Sequence, residues 1–402
     1  MSTLLGCDML ADTIWTEYIW KAERGHYEAN ALDTGLPIIM IDTEGHQTIK
    51  SREHYINGVV KINDPVDSSN DLEADTEVRG RGNITWWYPK RPYRIKFNEK
   101  QNLFGYTKAK SWVLLANHQD PTLMMNTITF ELGRQMDFPF ANHAVHVELV
   151  LNGVYEGSYV LTEQVQVGKG RVDIDEDDGF LVELDSYYDE EPKFTSANYR
   201  LPVMIKSPED LTDTAGYNFV KDAVNELDSR LYNGFFDGSD GYRELIDLDS
   251  FVKFLLINEI VGNSEMGIPK SAYMHKDKDG KIFMGPLWDF DSGFSYSGGG
   301  TNVYFESSRY RIRQHPFFKR LFDDPVFTVR YKELWNQYYG DGTILGMTAF
   351  IDATAAKVDA SQKANFTVWK WLNKPNYENE ISKLKQWWQD RIEYLDGEIN
   401  EY

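Results

Sequence analysis

The sequence predicts an α+β protein with a β-rich first lobe and a helical second lobe. Short apolar runs separated by turn residues fill the chain as far as about residue 211. After residue 212, apolar residues recur at three- and four-residue steps, the period of a helix with one buried face. One strand-like run, Ile282-Phe283-Met284-Gly285-Pro286-Leu287, interrupts those helices and leads into Trp288-Asp289-Phe290-Asp291. The expected organisation is an N-terminal helical arm over 1–35, a β-rich lobe over 36–211 and a helical lobe over 212–402 that carries these acids.

The elements follow in order. Residues 8–29, rich in Trp, Tyr and Glu, predict the helical arm. Leu36–Ile41 and Gly58–Ile62 are apolar enough for buried strands. Pro92–Phe97 alternates apolar and basic residues, which puts Arg94 and Lys96 on one strand face. Trp112–Ala116 predicts another strand, and Asp120-Pro121-Thr122 the start of a helix through about Gln135, with proline in its first turn. Asn152-Gly153 between His146–Leu151 and Val154–Leu161 signals a two-residue hairpin, since both residues tolerate positive φ. Gly179–Asp185 predicts a further strand. Helices are expected over 215–231, 248–261, 316–339, 343–362 and 376–399, with a mobile Gly-Gly-Gly loop at 298–300.

Composition excludes several classes. The chain has 402 residues, and 63 acidic against 42 basic residues give a net charge of −21, which opposes non-specific nucleic-acid binding. A single Cys rules out an internal disulfide framework. No apolar run reaches the roughly 18–20 residues of a transmembrane segment. Leu4-Leu5-Gly6-Cys7 has the character of a lipoprotein cleavage site without the basic and apolar stretches that should precede it. Either Cys7 marks the remnant of an export signal, which would place the protein extracytoplasmically in the cell envelope, or it is an ordinary thiol of a cytoplasmic one. The sequence leaves the oligomeric state open. No HExxH, G-x-S-x-G or Walker-type loop is present.

Three constellations carry candidate chemistry. If the strand before Asp289 continues, Asp289 and Asp291 share a face about 6–7 Å apart, fit to grip one divalent cation or to act as an acid/base pair; the alternative is an Asp-rich turn. Arg79-Gly80-Arg81-Gly82-Asn83-Ile84-Thr85-Trp86 combines glycines that admit an anion with forked donors that suit phosphate, or it is a charged hairpin turn. Lys90, Arg91, Arg94 and Lys96 follow closely, a local positive excess against the global sign, and Glu163, Glu183 and Asp185 are either candidate partners of Lys96 or solvent-facing acids on strand ends. Asn258–Ser271 reads as a helix end and loop bearing Glu265 and Lys270, either reactive groups or a surface ion pair.

Together these blocks resemble the CotH family, the spore-coat-type atypical protein kinases. The matching stretches are R-G-R-G-N-x-T-W (79–86), P-K-R-P-Y-R-I-K-F (89–97), L-F-G-Y-T-K-A-K-S-W-V-L-L-A-N (103–117), D-P-T-L-x-x-N (120–126), L-N-G-V-Y-E-G-S-Y-V-L-T-E-Q-V (151–165), G-F-L-V-E-L-D (179–185) and G-P-L-W-D-F-D (285–291). The resemblance covers roughly residues 36–300 in the family's order, and the C-terminal helices match only in character. The resemblance implies an atypical protein-kinase-like two-lobed fold, ATP with Mg or Mn as cofactors, and transfer of the γ-phosphate to Ser/Thr of a protein substrate. It implies that Arg81, Gly82 and Asn83 face the phosphates, that Lys96 neutralises them with Glu163 nearby, that Asp289 and Asp291 bind metal, and that Glu265 is the catalytic base with Lys270 beside it. The chain departs from the family where Glu265 replaces an Asp, Lys270 a polar residue, often Asn, and Met125 a basic residue before Asn126. These departures leave a second reading, a catalytically degenerate scaffold that binds nucleotide or a protein partner. A glycosidase using Asp289 with Asp291 or Glu265 would suit the Trp-rich composition but leaves the Arg/Gly loop and Lys96 without a role.

Overall fold

A computed structural model describes residues 32–401 apart from 209–210, 212–213, 295, 298–302, 305–311 and 370–375. The N-terminal arm with Cys7 and the Gly-Gly-Gly loop lie outside the described residues. The chain is a mixed α+β protein, and it divides into two compact units by a route more interleaved than one cut at residue 211. The first contains residues up to 123, 144–164 and 354–377, and the second contains 124–143, 165–353 and 378 onward.

The first unit is built on a seven-stranded closed barrel in the order β1-β2-β3-β4-β5-β7-β6. Its strands are β1 (Ile38–Thr43), β2 (Ile56–Asn63), β3 (Leu72–Gly80), β4 (Tyr93–Gln101), β5 (Ala109–Leu115), β6 (Val145–Leu151) and β7 (Val154–Glu163). All neighbours are antiparallel except β1 and β6, whose parallel pairing closes the barrel and leaves no open edge. Alternating residues, among them Ile39, Ile41, Val60, Ile62, Val78, Ile95, Phe97, Trp112, Leu149 and Leu161, fill the interior. Asn152 and Gly153 adopt φ of 51° and 75°, the left-handed pair that the β6–β7 turn demands. β3 was not anticipated as a strand: its Leu-Glu-Ala-Asp-Thr-Glu-Val-Arg run alternates, but its charged outer face hides the signal.

Lys90 does not join a ligand-facing basic cluster. It is 2% exposed and donates to the Ser158 carbonyl and to Asn365 Oδ1 at 2.8 Å, with the Tyr159 ring 4.7 Å from its ammonium. Burial lowers its pKa to about 7, against the opposing pull of Glu148, Glu156 and Asp120. It clasps the distal part of a long helix against β7.

The second unit pairs helices with a five-stranded sheet of order β12-β11-β8-β10-β9. The strands are β8 (Phe180–Leu184), β9 (Lys193–Thr195), β10 (Pro202–Ser207), β11 (Ala272–Lys276) and β12 (Ile282–Met284). Short apolar β11, hidden between a loop and a turn, was missed. The helices are α1 (Met125–Gln135), α2 (Thr214–Asn233), α3 (Leu248–Ile260), α4 (Pro316–Leu321), α5 (Pro325–Gly340), α6 (Thr343–Val368), which runs on into residues of the first unit, and α7 (Tyr377–Asn400). Two expectations are corrected. The helix expected from Asp120 begins only at Met125, because the Asp120 carboxylate turns back onto the Thr122 amide at 2.8 Å and makes a turn instead. The helix expected over 316–339 breaks at Asp324-Pro325, where Asp324 caps the Val326 amide at 2.9 Å and starts a new helix.

Candidate active site

In the second unit the apolar run before Asp289 ceases to be a strand at Met284. The expected face-sharing of Asp289 and Asp291 therefore does not arise from strand alternation. Asp289 instead has φ of 64°, in the left-handed region that Asp tolerates better than most side chains. The reason is visible in its neighbours. Trp288 and Phe290 both pack on Phe130 of α1, with ring centroids 6.2 and 6.4 Å away, and the Phe290 amide donates to Asn126 Oδ1 at 2.8 Å. Two buried aromatics gripping one helix force the residue between them into the unusual conformation. Asp291 follows, half-buried, in the next turn.

Glu265 is fixed from the other side. α3 ends at Ile260, and Asn263 caps the next turn by accepting from the Glu265 amide at 3.0 Å. Asn263 is itself held by Asn258 Oδ1 at 2.9 Å. A buried ion pair between Arg391 of α7 and Glu259 secures this end of α3. Ser264 Oγ donates to the Ser292 carbonyl at 3.3 Å and the Phe294 amide donates to the Val261 carbonyl, so the Glu265 turn and the Asp289 segment are tied directly.

The segment after β8 completes the cluster. Asp185 accepts from the Tyr187 amide at 2.7 Å and the Ser271 amide at 3.2 Å, and the Ser271 hydroxyl reaches 3.5 Å from Asp289 Oδ2. Lys270 Nζ lies 3.6 Å from Glu265 Oε1 and 5.1 Å from the centre of the Tyr187 ring. Three carboxylates thus act on one another. Burial above all, with Asp289 and Asp185 acting in the same direction and Lys270 pulling against them, raises the Glu265 carboxyl to about 7. Burial raises Asp185 as well, assisted by Asp189 and Asp289.

Glu183 faces elsewhere, bonded to Tyr273 Oη at 2.7 Å and paired with Lys206 at 3.3 Å. Asp185, Tyr187, Ser271 and Asn126 are the site residues that motif reading did not assign. Asp185 and Asn126 did stand in the matching motif blocks, Asp185 as a possible partner of Lys96, whereas nothing in the sequence marked Tyr187 or Ser271. Among the described residues no group of three His, Cys, Asp or Glu side chains is arranged to hold a metal ion.

In the first unit, the alternation predicted for β4 is observed. Arg94 pairs with Arg79 of β3, and Lys96 with Glu77, all on the outer face of the barrel wall. Lys96 Nζ is 3.3 Å from Glu77 and 5.4 Å from the Tyr55 ring centre, with 45% of its side chain exposed. The Arg79 guanidinium stands over the same Tyr55 ring at 5.0 Å. Glu163 lies opposite Trp112, in step with Leu161 and Tyr159 of the barrel interior, whereas Lys96 lies opposite Ser111 on the other face. The expected Glu163–Lys96 pair is therefore replaced by Glu77–Lys96. The Arg/Gly loop turns sharply: Gly82 has φ of 83°, and a Cβ there would stand 2.1 Å from Thr85 Oγ1. Arg52 donates to the Gly82 carbonyl at 2.8 Å and to Asn83 Oδ1 at 2.7 Å, so the Asn83 side chain serves the loop's own geometry. The Arg81 amide donates to the Pro92 carbonyl at 3.2 Å and docks the loop at the start of β4.

The molecule is thus a mixed α+β protein whose second unit brings Asp185, Glu265 and Asp289 to act on one another, with Lys270 beside Glu265. The profile of the family described as CotH kinase protein matches residues 78–395, and the chain belongs to that family. The match starts later than the resemblance read from the motifs and takes in the C-terminal helices that the motifs left out. A search of curated proteins returns no match.

Proposed function

We propose that this protein is an atypical kinase of the CotH type that transfers the γ-phosphate of ATP to a Ser or Thr hydroxyl of a protein, with the two units serving as the lobes of a kinase-like plan. The observation that carries this reading is Glu265, a half-buried carboxylate 3.6 Å from Lys270 that burial, Asp289 and Asp185 together raise to about 7, on a turn tied to the Asp289 segment through Ser264 and Ser292. Such a group accepts a proton near neutral pH. In the transfer the hydroxyl proton passes to Glu265, the hydroxyl oxygen bonds to Pγ, the bond from Pγ to the bridging oxygen breaks, and ADP leaves.

Carboxylate oxygens are the donors that a hard divalent cation takes, and Mg commonly uses one or two of them and completes its shell with water and phosphate oxygens. Asp289 and Asp291 would hold the ion, and bound Mg or Mn would supply neutralisation of the phosphate oxygens. Among the first unit's residues, Lys96, with Arg79 and Arg94 on the same face and the Arg81–Asn83 loop at the end of β3, are those we assign to nucleotide phosphates.

One observation favours a second reading, the degenerate scaffold that binds nucleotide or a protein partner without transfer. The Lys270 ammonium sits on the carboxylate that must take the proton. A calorimetric titration of ATP, with and without Mn²⁺, followed by phosphate transfer to a protein acceptor, separates the possibilities. Metal-dependent binding that Asp289→Ala abolishes, with transfer, supports the kinase; binding without transfer supports the scaffold. Absence of binding in both conditions overturns the nucleotide site.

A further inference from the structure

We propose that the seat of α6 on the outer faces of β6 and β7 is an acid-released latch, closed at Asn365 and opened by protonation of His146. The barrel interior takes Val147, Leu149, Tyr159 and Leu161, so their strand neighbours His146, Glu148, Ser158 and Val160 point outward. All four are nonetheless buried, at 2% exposure or less. Glu148 lies opposite Ser158 and His146 opposite Val160, which makes them one continuous patch. Residues 354–369 belong with the barrel to the first unit and clasp this patch. Asn365 Oδ1 accepts from the Ser158 amide at 3.1 Å and from Lys90 Nζ at 2.8 Å, and the Trp369 indole donates to the Glu156 carbonyl at 2.8 Å. The approach demands glycine at 157, where φ is 100° and a Cβ would stand 2.5 Å from Asn365 Oδ1.

Beneath the clasp the seat is polar. Glu148 accepts from Tyr155 Oη through one oxygen, whereas Glu148 Oε1 and the hydroxyls of Ser158 and Ser361 have no protein partner among the described residues. Polar groups that closure does not pair lean toward the open, hydrated state. His146 adds the trigger, because a charged imidazole is costly in a patch closed to solvent. Burial lowers its pKa to about 3, and Lys357 of α6 acts in the same direction. The other charged residues of that stretch, Asp359 and Lys363, pair with each other at 2.6 Å on its exposed side. Glu148 stands two residues along β6, and Ile38, in step with it on β1, is apolar. Lys90 is faced by Glu148, Glu156, Asp120 and His118, and burial holds it at about 7. Both groups work in one direction, since a released seat returns them to water and binds protons that the closed seat refuses. The His146 contribution to closure is complete above a pH of about 6.5 and is lost as pH falls toward 3. That of Lys90 is lost as pH falls from about 10.5 to about 7.

The test is hydrogen–deuterium exchange of the full chain between about pH 7.5 and about pH 5, corrected for the intrinsic pH dependence of amide exchange. Over that interval His146 contributes about thirtyfold and Lys90 about fourfold, so protection of 354–368 is expected to fall about a hundredfold while that of α3 holds. His146→Gln should reduce the fall to the lysine's share of about fourfold. Asn365→Ala should lower protection of the same stretch already at the upper pH, because it removes the acceptor that Ser158 and Lys90 share. The wild-type series decides even where a variant fails to fold: a flat profile at 354–368, or a parallel fall in α3, overturns the latch. A His146→Gln chain that falls as steeply as the wild type, or an Asn365→Ala chain as well protected, overturns it as well.

Discussion

Asp289 holds a left-handed backbone because its two aromatic neighbours pack on Phe130, and its side chain type decides what that conformation costs. Asn tolerates this region as Asp does, whereas Ala loses roughly 1 kcal/mol there. Asp289→Asn is therefore expected to fold with an unchanged or raised Tm, since it also relieves repulsion with Glu265, and to lose metal-dependent ATP binding in calorimetry. Asp289→Ala should lose the same binding with a Tm lowered by the backbone cost. At Glu265 the expected outcome is different. Glu265→Gln keeps the shape of the turn that Asn263 caps but removes the proton acceptor, so ATP binding persists while transfer falls by about 10²–10⁴-fold in a single-turnover assay.

The ends of α3 are set by charges from two other helices. At its start, Asp249 accepts from Nε and Nη2 of Arg330, both at 2.7 Å, and that hydrogen bonding holds the Asp249 carboxyl below its usual range. Because the folded state binds this proton more weakly than the unfolded state, the pair stabilises above a pH of about 4 and its contribution fades as pH falls through the folded value. Asp249→Asn should thus lower stability by no more than about 1 kcal/mol at pH 7, the range of a half-exposed pair, and by less as the pH of matched urea titrations is lowered through the acid range. At the other end the Arg391–Glu259 pair is almost wholly buried, and Arg391 Nε also donates to the Glu259 carbonyl at 3.0 Å. Removal of one partner strands a charge in the interior. Arg391→Met is expected to cost about 3–5 kcal/mol in urea unfolding, and adding Glu259→Leu should recover much of it. The loss would also loosen Asn258 and Asn263, so the residual fold of Arg391→Met should bind Mn²⁺ poorly.

For the whole molecule, ligands of the native state must raise its unfolding temperature. ATP with Mn²⁺ at a hundredfold its dissociation constant is expected to add about 2.7 kcal/mol of stability, and neither component alone should match it. Lys96→Ala should remove most of that gain while changing unliganded stability by about 0.5 kcal/mol or less, because its pair with Glu77 is largely exposed. The net charge of −21 makes this a demanding test: on the proposed reading an anionic nucleotide would bind where Arg79, Arg94 and Lys96 reverse the local sign.

Local patterns carried much of the architecture. Alternation in Tyr93–Phe97 placed Arg94 and Lys96 together, Asn152-Gly153 announced its hairpin, and the helical period located α2, α3 and α7 to within a few residues and the start of α6, whose end lies six residues beyond the expected one. The motif blocks by themselves determined the family. Barrel closure through β1 and β6 was not legible, because pairing between strands about a hundred residues apart leaves no local mark. Nor was the break at Asp324-Pro325 taken up, although its cap and proline stand in the sequence. The site divided the same way. Glu265, Lys270 and Asp289 were named from residue type and spacing, but the partners that set their chemistry were not. Asp185, Tyr187 and Ser271 reach Glu265 and Asp289 only through tertiary contacts, as Asn126 reaches Phe290 across 164 residues of chain. Residue type decides what a side chain can do, and period decides which face it takes. Burial and the charges brought beside it, which only the folded chain supplies, decide the protonation state in which it acts.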